Sequence, residues 1–234
     1  MKIDHAHILE SGELEIVGRI RDASNASLLA KSRVNEDEVT CIYKPIVGEK
    51  PLWDFSDGNL ASREVASYLI SEWGGWHRIP STILRDGPFG LGAVQLWIDI
   101  DHAVDLESYF REDDPQLRSL ALLDAVINNT DRKIGHLLVD KVGRLYGCDH
   151  GVTLHVDDKL RTVLWQFAGD TFDEAEVEQL QRLSVEIEKR SEALMELITA
   201  EELRALKTRI ERLLSEGRFP YPSEDWPAIP WPPF

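Results

Sequence analysis

The stretch from residue 128 to 151, NNTDRKIGHLLVDKVGRLYGCDHG, constrains this chain more than any other. Two short apolar runs, at 137–140 and 145–148, flank Lys141-Val142-Gly143-Arg144. A four-residue connection containing Gly is a common hairpin loop length. That register pairs Asp140 with Leu145 and Leu137 with Cys148, and one step further it pairs His136 with Asp149. Directly paired positions lie about 5 Å apart between Cα atoms. The hairpin ends therefore bring an imidazole and a carboxylate side by side. Asp131, in a loop with no apolar period, adds a second carboxylate at the same mouth. An isolated Asp-Arg or Asp-His-Gly would read as a surface turn; the register is what sets these three residues apart.

A second constellation lies upstream. Residues 39–45, VTCIYKP, are β-branched and aromatic and predict a strand that Pro45 ends. Lys44 at its end either snorkels to water or reaches a ligand. A helix is expected over 60–73, capped by Asp57 or Asn59 and stopped by Gly74-Gly75. Glu64 falls inside its apolar stripe, between Leu60 and Tyr68. A carboxylate on a packed face is costly unless paired, and Lys44 is the natural partner. A surface neighbour pair with Arg63 is the alternative, worth little. In the intervening loop, 46–58, Trp53 and Phe55 are expected to pin the chain to the body.

The remaining elements follow from period and punctuation. Residues 8–18 read as a strand, or as a strand with a preceding turn, with clear alternation at 13–16. The tip Ala23-Ser24-Asn25-Ala26 can present amides and hydroxyls to phosphate oxygens, although an ordinary hairpin tip has the same letters. There is no Gly-x-Gly-x-x-Gly and no Walker A motif. Strands are expected at 79–84 and 92–98, with a turn at 85–90. Asp114-Pro115 opens a helix that delivers the chain into the Asp131 loop, and Asp124 on it is read as a buried anchor without chemistry. Residues 152–164 form a loop in which Lys159 and Arg161 stand against Asp157 and Asp158. Residues 172–216 are helical, with one apolar stripe over 176–198 and a capping box at 199–202. The tail, 219–234, is rich in Pro and Trp and is expected to pack across the body, or to offer a peptide-like partner site.

Composition bounds the class. A 234-residue chain with 43% apolar residues and seven Trp can bury a real core. A net charge of −16 repels nucleic acid and anionic membrane surfaces, so neither is an expected partner. Cys41 and Cys148 fall in strands and read as small buried residues in a reducing compartment, without zinc spacing. The N-terminus has no apolar leader and no run is long enough for a bilayer, so a cytoplasmic protein is expected.

Asp-Arg, a strand, a hairpin and Asp-x-Gly together resemble the catalytic and metal-binding segment of the phosphatidylinositol 3-/4-kinase-like branch of the protein kinase fold. More narrowly, the chain resembles an actinobacterial PI3/4-kinase-like family whose members end in the WPAIPWPPF found at 226–234. The resemblance implies an α+β, two-lobed protein kinase-like fold. A small antiparallel-sheet N-lobe would span 1–98 and a mostly helical C-lobe 99–234. It implies an ATP-dependent phosphotransferase acting on an alcohol group. Lys44, held by Glu64, would position the phosphates, and Ser24 and Asn25 would cover them. Gln95, Leu96 and Trp97 would form the hinge at the adenine. Asp131 would orient the acceptor hydroxyl, and Arg132 would steady the loop or a transferred phosphate. His136 and Asp149 would hold Mg²⁺ or Mn²⁺. His136 stands where the family usually has Asn, and nitrogen suits Mn²⁺ better than Mg²⁺. The basic loop with which lipid kinases grip a headgroup is missing, which argues against a membrane lipid as acceptor. A protein hydroxyl, a sugar or another small metabolite would serve. Two other functions fit the same letters: a nucleotide-binding module without turnover, and AMP transfer by a reversed nucleotide. Oligomeric state is not legible.

Overall fold

Alternating burial along consecutive strands builds the first lobe. The computed structural model describes residues 5–20, 26–55 and 57–234. Strands β1 (Glu13–Arg19), β2 (Leu28–Val34), β3 (Asp37–Pro45), β4 (Thr82–Gly87) and β5 (Gly90–Leu96) form one antiparallel sheet in the order β1-β2-β3-β5-β4. On β3, Val39, Cys41 and Tyr43 point into the lobe core, so the period of two turns Lys44 to the opposite face. Helix α1 (His5–Ser11) covers the core side with Ile8 and Leu9. The strand starts at Glu13, and what precedes it is a helix rather than more strand or a turn. Alternation begins only at Glu13, and the adjacent pair Ile8-Leu9 is buried together, which a helix allows and a half-buried strand does not.

The β4–β5 connection also differs from expectation. Gly87 pairs with Gly90, so the turn is only Pro88-Phe89 and both strands run further into the Gly-rich stretch. The cause is Tyr43. Its ring lies where a side chain at Gly87 or Gly92 would stand, and its hydroxyl donates to the Gly90 carbonyl.

Helix α2 (Leu60–Gly74) follows its local signals. The Asn59 side chain accepts from the Ser62 amide at 2.7 Å, and Gly75 closes the helix at φ +85°. Replacing Asn59 by Ala should cost about 1 kcal/mol, read as a lower denaturant midpoint at unchanged slope.

The second lobe contains α3 (Leu106–Tyr109), α4 (Pro115–Ile127), the hairpin β6 (Leu137–Val139) and β7 (Leu145–Gly147), then α5 (Glu174–Lys189), α6 (Ser191–Met195) and α7 (Ala200–Glu216). The single stripe expected over 176–198 is broken at Arg190, between α5 and α6. Leu117, Leu120, Leu180, Leu183, Leu206 and Ile210 are central to this lobe's core. The lobes are tied by a buried ion pair, Arg63 of α2 to Glu202 of α7 at 2.5 and 3.1 Å, so Arg63 does not pair with Glu64. The tail packs on the body. Ala228 O accepts from the Thr162 amide and from Trp165 Nε1, and Pro233 O accepts from the Ile134 amide. Among the described residues no helix is long and apolar enough to cross a membrane.

Candidate active site

The cleft between the lobes is organised on Lys44. Its ammonium donates to Glu64 Oε1 and, at 3.0 Å, to Asp149 Oδ1. An ammonium has three donors, so one is left for a ligand oxygen. Burial works against the Lys44 charge, but Asp149 and Glu64 outweigh it and hold the group firmly protonated, above an ordinary lysine. Burial raises the Glu64 carboxyl while Lys44 pulls it down. Lys44 in turn holds Asp149 well below the usual carboxylate range, against its own desolvation. Glu64 is buried; the Asp149 side chain is 55% exposed to the cleft. Gly151 is where α2 meets this segment: a Cβ there would stand 3.1 Å from Leu60 Cβ.

The hairpin exists, but its register is one residue from the expected one. Leu137 pairs with Gly147, Leu138 with Tyr146 and Val139 with Leu145. Asp140 causes the shift. Its Oδ1 accepts from the Val142 and Arg144 amides at 2.9 Å and its own amide donates to Arg144 O, which closes the loop one residue shorter. His136 accordingly meets Cys148, whose amide donates to His136 O at 3.0 Å. The imidazole and Asp149 still converge, Nε2 to Oδ2 at 3.6 Å, because Asp149 turns back in the left-handed region at φ +59°. Burial pushes His136 down to about 4, so its ring is neutral at neutral pH and can offer a lone pair. Among the described residues no three His, Cys, Asp or Glu side chains gather into a complete metal site. His136 Nε2 and Asp149 Oδ2 are the pair of donors that would hold a divalent ion here, if one binds. Burial pushes the Cys148 thiol up to about 12.

Asp131 faces the same cleft, a third exposed. Its carboxyl is raised by burial and by the charge of Asp149, with Lys133 pulling the other way at 3.4 Å. The Asn129 side chain fixes the loop by accepting from the Asp131 amide at 3.0 Å. Arg132 does not face a phosphate. It is fully buried, and donates to both oxygens of Asp124 at 2.8 and 2.9 Å, to Cys148 O at 2.9 Å, and to His150 Nε2 at 2.6 Å. A guanidinium only donates, so His150 accepts through Nε2. Arg132 is thus a brace that joins α4, the Asp131 loop and the Asp149 turn, and Asp124 is the anchor expected of it.

The expected hinge, Gln95 to Trp97, lies at the end of β5. The amides of Leu96 and Trp97 donate to Ser81 O (2.8 Å) and Thr40 O (3.0 Å), and the Gln95 side chain donates to Thr82 Oγ1. The two amides extend the sheet. Ser24 and Asn25 lie outside the described residues. Trp53 does not pin its loop: it is 84% exposed, whereas Phe55 packs edge-on against His155 and under Arg63. Lys133 was not foreseen. It follows Asp131 by two residues in extended backbone, a spacing that puts both side chains on one side. A cavity of about 500 Å³ opens from Lys44, Glu64 and Asp149 past Asp131 to Arg161 and Trp226.

No protein-family model matches this chain. A protein of Mycobacterium tuberculosis (strain ATCC 25618 / H37Rv), Rv2133c, is 39% identical over 270 residues, which cover 100% of this chain and 97% of that protein. Among solved structures, the golgi casein kinase is similar over 90% of this chain and 72% of its own, with TM-score 0.58 at 12% identity. The Helicobacter pylori proinflammatory kinase CtkA is similar over 89% of this chain and 94% of its own, with TM-score 0.51 at 11% identity. At these identities the likeness is one of fold: a two-lobed, protein kinase-like architecture with an antiparallel-sheet N-lobe and a helical C-lobe.

Proposed function

Because this chain belongs to the family of Mycobacterium tuberculosis Rv2133c and has a protein kinase-like fold, we propose that it is an ATP-dependent phosphotransferase acting on an alcohol group. The observation that carries the proposal is Lys44, which joins the buried Glu64 of α2 to Asp149 beside Asp131 and His136. Phosphoryl transfer depends on positioning and on neutralising charge, which these groups supply. Lys44 binds phosphate oxygens with its free donor, and Glu64 fixes its position. Asp149 and His136 would hold Mn²⁺ or Mg²⁺, which would neutralise charge on the phosphates. Asp131 orients the acceptor hydroxyl and takes its proton. Lys133, beside Asp131, faces the transferred group. The narrower resemblance, to the PI3/4-kinase-like branch, rests on the spacing of Asp131, His136 and Asp149. A lipid acceptor fits poorly with the net charge of −16.

Thermal melting with ATP and ADP, each with Mg²⁺ and with Mn²⁺, tests the reading. A ligand at a hundred times its Kd stabilises by about 2.7 kcal/mol, a rise of roughly 5–10 °C for a chain of this size. The rise should need the metal and vanish in Asp149→Ala. A chain that melts unchanged with every nucleotide has inherited the fold without the ligand. ATP binding without any labelled product would leave a nucleotide-binding module.

A further inference from the structure

Resting on that reading, we propose that the cavity beyond Asp131 is the acceptor site, and that it takes a small soluble alcohol carrying an anionic group, held by Arg161. In the transfer, the acceptor oxygen bonds to the γ-phosphorus. The bond from that phosphorus to the β–γ bridging oxygen breaks, its electron pair leaves with ADP, and the hydroxyl proton passes to Asp131.

Size and walls come first. The cavity of about 500 Å³ includes the floor at Lys44, Glu64 and Asp149, so the part beyond Asp131 is smaller and suits a short hydroxy acid or a single-ring metabolite at most. The tail closes one side, with Trp226 and Pro227 on the lining and Ala228 O anchored to Thr162 and Trp165. Lys159 braces this wall. Its ammonium is paired with Asp54 at 3.2 Å and lies 4.4 Å from the Trp226 ring centre and 5.4 Å from that of Trp53. A cavity of this size suits a small molecule better than an extended protein segment or a two-tailed lipid.

Charge comes second. The sequence sets Lys159 and Arg161 against Asp157 and Asp158, but Asp158 is taken by Arg209 and Arg212 of α7. Among the described residues, the Arg161 guanidinium has no hydrogen-bond or ion-pair partner, and its Nε is buried from solvent. A buried donor left unpaired is unfavourable, and a guanidinium fork matches a carboxylate or phosphate. At the inner end the cations Lys44 and Lys133 are already set against Asp149 and Asp131, whereas Arg161, among the described residues, has no ion pair of its own. A molecule with a hydroxyl at one end and an anion at the other is therefore oriented, hydroxyl inward and anion on Arg161. Trp53 comes third. An 84% exposed indole on the cavity rim covers almost nothing of the protein and is placed to stack on what enters.

The test uses the full chain with Mn²⁺ and AMP-PNP, and follows tryptophan fluorescence. The probes are glucose 6-phosphate, glycerol 3-phosphate and 3-phosphoglycerate, with glucose and glycerol as neutral controls. At least one anionic probe should titrate saturably, with its neutral counterpart at least about tenfold weaker. Arg161→Gln should weaken the anionic probe by about tenfold or more and leave AMP-PNP affinity within about twofold. Arg161→Lys, which keeps the charge but loses the fork, should fall between them and serves if the Gln variant does not fold. The proposal fails if no anionic probe titrates at millimolar concentration, or if both Arg161 variants bind it like wild type. It also fails if Arg161→Gln weakens AMP-PNP about as much as the probe, because the cavity then belongs to the nucleotide. AMP-PNP that does not bind wild type at all sinks the phosphotransferase reading instead, and probe binding lost in Arg161→Gln would still establish the anion site.

Discussion

Replacing Asp131 by Asn should lower phosphoryl transfer about a thousandfold, with Mn²⁺·ATP affinity unchanged within about twofold. The substitution keeps shape and hydrogen bonding to Lys133 but removes the group that takes the hydroxyl proton. It also has a pH signature. Burial raises the Asp131 carboxyl above its unfolded value, so the ionised, working form is lost at a higher pH than for an ordinary aspartate. The acid limb of wild-type activity should reflect this, and Asn should flatten it in whatever rate remains. Stability moves the other way. A carboxyl with a raised folded pKa favours folding fully only below its unfolded pKa, and that contribution is gone once pH exceeds the folded value. At neutral pH Asp131 therefore opposes folding, and Asp131→Asn should melt no lower than wild type. A variant with full transfer activity would remove Asp131 from the mechanism.

The largest effect on stability is expected at Asp124. Its carboxylate and the Arg132 guanidinium are both at 0% exposure. Asp124→Ala leaves that cation buried with only Cys148 O and the neutral His150 ring as partners. Burial and Arg132 hold His150 well below its usual range, so the ring stays an acceptor. Breaking one side of such a pair costs about 3–5 kcal/mol, roughly 6–20 °C in melting temperature at this chain length. Changing both partners to apolar residues, Asp124→Leu with Arg132→Met, should recover much of that loss, because no lone charge is left inside. The recovered double variant should still transfer phosphate poorly, because the brace also sets the Asp131 loop against the Asp149 turn. If Asp124→Ala melts like wild type, the pair is not what holds the two together.

What could be read from the letters depended on how local the cause was. Helix α2 carries its own boundaries at Asn59 and Gly75, and the pairing of Glu64 with Lys44 follows from the demand of a carboxylate on a packed face. The hairpin was legible as a hairpin. Its register was not, because Asp140 spends its side chain on the turn, and an apolar-run argument does not see that bond. Of the two roles read for Arg132, steadying the loop or a phosphate, the letters could not choose, for a related reason. Its partner Asp124 sits in the last turns of α4, and the left-handed Asn128 that folds the loop back onto it leaves no periodic trace. Arg161 looked balanced by neighbouring acids, and only the packing of α7 shows Asp158 drawn away. Trp53 looked like an anchor because a Trp in a loop usually is one.

The bonds from residues 228 and 233 to the segments around Thr162 and Ile134 also set an order of events during synthesis. Lys44, Glu64, Asp131 and Asp149 all leave the ribosome well before the segment that steadies the catalytic loop and walls the cavity. At ordinary elongation rates the gap between Asp131 and Trp226 lasts roughly 5–20 s. In the later part of that interval, once Arg161 is made, the growing chain carries every charged group of the site without the wall at Trp226. On the proposed reading selectivity for the acceptor would be acquired last, and a prematurely terminated polypeptide would hold Lys44, Glu64, Asp131 and Asp149 with an unwalled mouth.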